Sequence, residues 1–88
     1  MTGAIPDRRA VALAGHTGDV DVAHRGLASD DPGVRATALG ALDRLAVLAD
    51  EELAAHFADP SPVVRRRAAT IAAGRPQLEL SVLLDDAD

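Results

Sequence analysis

One pattern occurs twice in this chain and limits its fold more than any other feature. Leu27-Ala28-Ser29-Asp30-Asp31-Pro32-Gly33-Val34-Arg35, followed by Ala38 and Leu42, returns as Phe57-Ala58-Asp59-Pro60-Ser61-Pro62-Val63-Val64-Arg65, followed by Ala68 and Ala72. The Val-Arg pairs and the large apolar residues ahead of each turn are both offset by 30 positions. A fixed period of about 20–50 residues marks a repeat architecture, in which each unit stacks on its neighbours to bury an apolar face it cannot bury alone. Function in such a chain becomes a matter of surfaces rather than of a catalytic pocket.

Glycine and proline punctuate signals that are otherwise helical. The 88 residues read as one domain. It comprises a leading helix at 6–14, a repeat at 19–47, a second at 50–73 and a partial repeat at 77–88. The expected helices lie near 6–14, 19–28, 33–47, 50–58, 62–73 and 77–84, with no strand. Pro6 suits the first turn and Gly15 a helix stop. Thr17 or Asp19 can cap the next start, and the acids Asp50-Glu51-Glu52 favour the positive end of a helix dipole. Advancing about 100° per residue from Val34 puts Ala38, Ala41, Leu42 and Leu45 on one stripe, with Ala36, Gly40 and Asp43 opposite. The expected core is Val34, Val64, Ala38, Ala68, Leu42, Leu45, Leu27, Phe57, Leu53 and Ile71.

Composition narrows the class of function. There is no Cys, so disulfides, thiolate metal sites and cysteine nucleophiles are excluded. No apolar run is long enough to suggest a secretory signal or a membrane span, which makes the cytoplasm the expected compartment. The net charge of −5 disfavours general attraction to nucleic acid. Charge is uneven, however: residues 62–75 hold Arg65, Arg66, Arg67 and Arg75 and no acid.

The repeated segment resembles a HEAT repeat, especially the short form of the phycobilisome-lyase HEAT-like family. Shared features are a large apolar residue closing one helix (Leu27, Phe57), a turn with Asp and Pro (Asp31-Pro32, Asp59-Pro60), and Val-Arg opening the next (Val34-Arg35, Val64-Arg65). Ala38 and Ala68 follow four residues after each Val. Arg8–Ala14 echoes Arg66–Ala72, and Leu80, Leu84, Asp86 and Asp88 echo Leu53, Phe57, Asp59 and Ser61, so the resemblance covers nearly the whole chain. It implies an all-α, right-handed α-solenoid of short antiparallel helix pairs, with second helices lining a concave binding face. It also implies that Arg35 and Arg65 reach turn acids such as Asp31 and Asp59, forming a structural ladder between units.

The resulting expectation is a non-catalytic protein–protein interaction scaffold, or a piece of a longer HEAT-like array. Arg66, Arg67, Thr70, Asp43 and Arg44 form its expected partner-binding surface. A protein partner is expected, or self-association through the C-terminal helix 77–84, whose Leu78, Leu80, Val82, Leu83 and Leu84 need cover. The alternative is lyase or DNA-glycosylase activity of the kind found among HEAT-like proteins, or nucleic-acid binding through Arg65-Arg66-Arg67. Phe57 as sole aromatic residue offers little for base stacking. No Ser-His-Asp order, Gly-rich phosphate loop or HExxH pair is present, and His16, His24 and His56 lack metal-ligand spacing. No catalytic residue, cofactor or metal is therefore expected.

Overall fold

The computed structural model describes residues 6–75. Those residues form helices joined by short turns, without a strand: α1 (Arg8–Thr17), α2 (Val20–Arg25), α3 (Pro32–Arg44), α4 (Asp50–Ala55) and α5 (Pro62–Ala72). Single 3-10 turns, Gly26–Ala28 and His56–Ala58, extend α2 and α4. The expected helix at 77–84, its self-association role and the partial repeat at 77–88 lie outside the described residues.

Local chemistry sets most boundaries. Asp7, Asp19, Asp31 and Ser61 each accept a backbone N–H at the start of α1, α2, α3 and α5, satisfying donors that have no partner within the helix. Pro32 and Pro62 open α3 and α5 with φ already helical and no N–H to satisfy. At α4 the side chain of Ala49 cannot cap, so Glu52 reaches back to the Ala49 N–H at 3.4 Å, half of a capping box.

The helix expected to stop at Gly15 continues to Thr17, and Gly18, at φ 86°, ends it. Gly15 has a packing role instead. A Cβ there would lie 3.1 Å from Ala41 Cβ and 3.2 Å from Ala41 Cα, so its missing side chain lets α1 and α3 approach closely. The C-terminus of α3 uses an alanine where glycine is usual. Ala46 N–H bonds to Asp43 O and Val47 N–H to Leu42 O, the pair of bonds that defines a Schellman cap, with Ala46 at φ 60°.

Helix α3 is central: α1 and α5 both pack on it, α2 with its 3-10 turn packs on α1 and α3, and α4 packs on α5. Val34, Ala38, Leu42, Leu53, Val64 and Ala68 are buried as expected, while Leu27, Phe57 and Ile71 are partly buried against them. Leu45 is half-buried and outside the cluster. Leu39 and Ala36 are buried although the one-stripe reading left them out. A helix packed by neighbours on two sides buries a wider arc than one face. Half of the buried apolar side chains are alanine. Alanine permits close helix contacts but contributes less burial energy than the about 1.5–3 kcal/mol of a buried Leu or Val, so polar links between helices carry more weight.

Candidate functional site

Two arginine-centred clusters tie the helices together. Arg35 donates Nε to Asp59 Oδ2 at 3.0 Å and Nη2 to Asp59 Oδ1 at 2.9 Å, while its Nη1 donates to the Ser29 carbonyl at 2.8 Å. The Asp59 Oδ1 atom also accepts the Ser61 N–H at 2.9 Å. Hydrogen bonds from the Arg35 guanidinium hold the Asp59 carboxyl below its ordinary value of 3.8, against the opposing effect of burial. Arg65 repeats the Arg35–Ser29 contact at the same spacing, donating Nη1 to the Asp59 carbonyl at 2.6 Å. Asp31 caps α3 through the Gly33 N–H at 2.8 Å and is not the carboxylate that Arg35 grips. The second cluster centres on Arg75, which donates to Asp43, Asp50 and the Leu48 carbonyl and joins the end of α5 to α3 and α4. Donating to the Asp43 and Asp50 carboxylates raises the Arg75 pKa above its ordinary value, against the opposing effect of burial.

The surface of α1, α3 and α5 carries further arginines outside these clusters. A groove of about 240 Å³ crosses these helices, floored by Gly15, Gly40 and Ala41 and edged by His16, Thr37, Arg44 and Arg67. Among the described residues no carboxylate lines it. Arg44 and Arg67 make no ion pair among the described residues. The Arg67 guanidinium lies across α3 at Gly40, where a Cβ would collide with Nη1, and donates to the Ala36 carbonyl at 3.4 Å. A shallow open surface continues from the groove along α1, past Ala12 and His16 to Arg8, Arg9 and the 59% exposed Leu13.

The residues expected to form a partner surface fall into three groups. Arg44 and Arg67 edge the groove together. Asp43 is held by Arg75. Arg66 and Thr70 are exposed on α5 beyond the edge of the groove, with the Thr70 hydroxyl donating to the Arg66 carbonyl. Arg65, Arg66 and Arg67 do not form one patch, because successive helix residues project about 100° apart. His16, Gly15 and Gly40 are the members that motif reading missed. A signal for them was present in the repeat: the offsets of 30 and 58 place Arg9, Thr37 and Arg67 at one unit position, and His16, Arg44 and Gly74 at another.

The other histidines serve structure. His24 pairs with Glu52, joining α2 to α4, and His56 Nδ1 bonds the Glu52 carbonyl at 2.8 Å. Among the described residues no three His, Cys, Asp or Glu side chains converge to hold a metal, and no helix is long and apolar enough to cross a membrane. The groove is smaller than the roughly 300–1,000 Å³ of pockets that enclose small ligands, and its open shape suits side chains of a larger partner. Beyond this geometry nothing locates the chain among known proteins: no family model matches it, and no curated protein and no solved structure does either.

Proposed function

We propose that this chain is a non-catalytic protein-binding module, a HEAT-like α-solenoid segment whose α1, α3 and α5 present the binding face. The observation that carries the proposal is the basic groove. Two arginines, without carboxylate partners among the described residues, edge a floor of Gly and Ala on α1 and α3, with Arg67 reaching over from α5, at positions that recur with the repeat. Arginine is enriched in protein interfaces. The Arg35–Asp59 pair supports the solenoid part, since it links one Asp-Pro turn to the helix of the neighbouring unit.

The test is site-directed photo-crosslinking in cells, with a benzophenone amino acid replacing exposed Ala12 in the groove lining or exposed Ala28 away from it. Polypeptide adducts are expected from position 12 and not from position 28. Adducts to nucleic acid, or none from position 12, would overturn the reading.

A further inference from the structure

Resting on that reading, we infer that the groove takes an acidic, extended peptide from a partner protein, with carboxylates recurring about every third residue around an apolar side chain. The chemistry of the edge selects the charge. Arg44, Arg67 and His16 converge on the groove with no acid among them, in a chain whose net charge is −5. Guanidinium groups bind carboxylates in a planar two-bond geometry, which makes Arg the residue suited to acidic side chains. Arg67 is exposed, its guanidinium rests on Gly40, and its one hydrogen bond among the described residues is the long one to the Ala36 carbonyl, so most of its donors are open to a ligand.

The floor and its extension select a peptide over a free anion. Ala12, Gly15, Gly40 and Ala41 leave a smooth surface on which a backbone can lie, and Leu13 beside it is an apolar anchor that an inorganic ion cannot use. Nucleic acid is a poorer match, because Phe57, the only aromatic residue, does not line the face.

Spacing follows from the helices. Packed helices stand about 8–10 Å apart. A polyproline-type backbone advances about 3.1 Å per residue, hence about 9 Å for every three residues. A carboxylate on every third residue therefore matches the step between the neighbouring helices α1 and α3, against which the Arg44 and Arg67 side chains lie at Gly15 and Gly40.

Fluorescence anisotropy with the full chain tests this. The probe is a labelled synthetic peptide of repeating Asp-Pro-Leu, and its counterpart has Asn in place of Asp. Inorganic phosphate and a single-stranded oligonucleotide of matched charge serve as competitors. The Asp peptide should bind, and Asn replacement, Arg44→Ala and Arg67→Ala should each weaken it about tenfold. Arg67→Lys should weaken it less, and Arg25→Ala, on α2, should leave it unchanged. Circular dichroism of each variant separates lost binding from lost fold. The inference fails if the peptide does not bind, if Arg44→Ala and Arg67→Ala leave binding intact, or if phosphate or the oligonucleotide displaces the peptide at equal charge. If any of these occurs while Ala12 still crosslinks to polypeptide, the ligand class is wrong and the protein-binding reading stands. Loss of the crosslinks as well removes both.

Discussion

Replacing Asp59 with Ala should remove about 3 kcal/mol of stability, mostly through its link to Arg35. The carboxylate accepts three N–H groups, two from Arg35 at 3.0 and 2.9 Å and one from Ser61 at 2.9 Å. The side chains are 15% and 7% exposed, so water compensates little when the bonds are lost. Each charge-assisted bond contributes about 1.5 kcal/mol and the turn bond about 1 kcal/mol, a gross loss of about 4 kcal/mol. Arg35 keeps its bond to the Ser29 carbonyl and can turn partly to water, which returns about 1 kcal/mol. Against a total stability on the order of 5–10 kcal/mol, this is a large fraction. A double-mutant cycle with Arg35→Ala isolates the pair, and its coupling should be about 1.5–2 kcal/mol. Urea melts followed by far-UV circular dichroism are the assay, because the chain has no Trp or Tyr to report by fluorescence. A coupling below about 0.5 kcal/mol would refute the reasoning and reduce Arg35–Asp59 to an ordinary surface pair.

Three further outcomes are expected. Ala46→Gly should raise stability by about 0.5–1 kcal/mol in the same melts, since it relieves a left-handed alanine at the end of α3; no gain would mean the cap carries no strain. Gly26→Ala should cost about 1–2 kcal/mol despite better helix propensity, because the new Cβ would stand 2.8 Å from Val11 Cγ2 and 3.0 Å from Ala38 Cβ; a higher melting temperature would contradict this. The pH dependence follows from Asp59, whose carboxyl is depressed in the folded state, so its contribution is complete above the ordinary value of 3.8 and disappears as pH falls through the lower folded-state value. Asp59→Asn should therefore flatten the loss of stability below about pH 4 in acid titrations, and an unchanged acid limb would sink that assignment.

The sequence was most legible where the cause of structure is local. Pro32, Pro62, Asp31 and Ser61 fix the starts of α3 and α5 within their own turns, and the 30-residue offset finds both. It was least legible where the cause lies across helices. Gly15 looks like a stop signal, yet its role is set by Ala41, 26 positions away. Leu39 and Ala36 fall off the main stripe of α3 and are buried because a second helix covers that side. For the groove, Arg44 and Arg67 were named from the chain, but their convergence with His16 depends on how three helices lie beside one another. Asp43 gave no local sign that Arg75, 32 residues later, would claim it.

Gly40 carries a consequence for how this chain can change over time. Alanine in mid-helix is favoured over glycine by about 0.5–1 kcal/mol, so a drift from Gly to Ala at position 40 would ordinarily be welcome. The guanidinium of Arg67 lies on that site, so a Cβ there requires the flexible end of the Arg67 side chain to move off. The two positions are thus linked: enlarging residue 40 removes the surface on which Arg67 rests. Descendants of this chain that hold Ala or Ser at 40 should carry at 67 either a shorter residue or an arginine turned out to solvent.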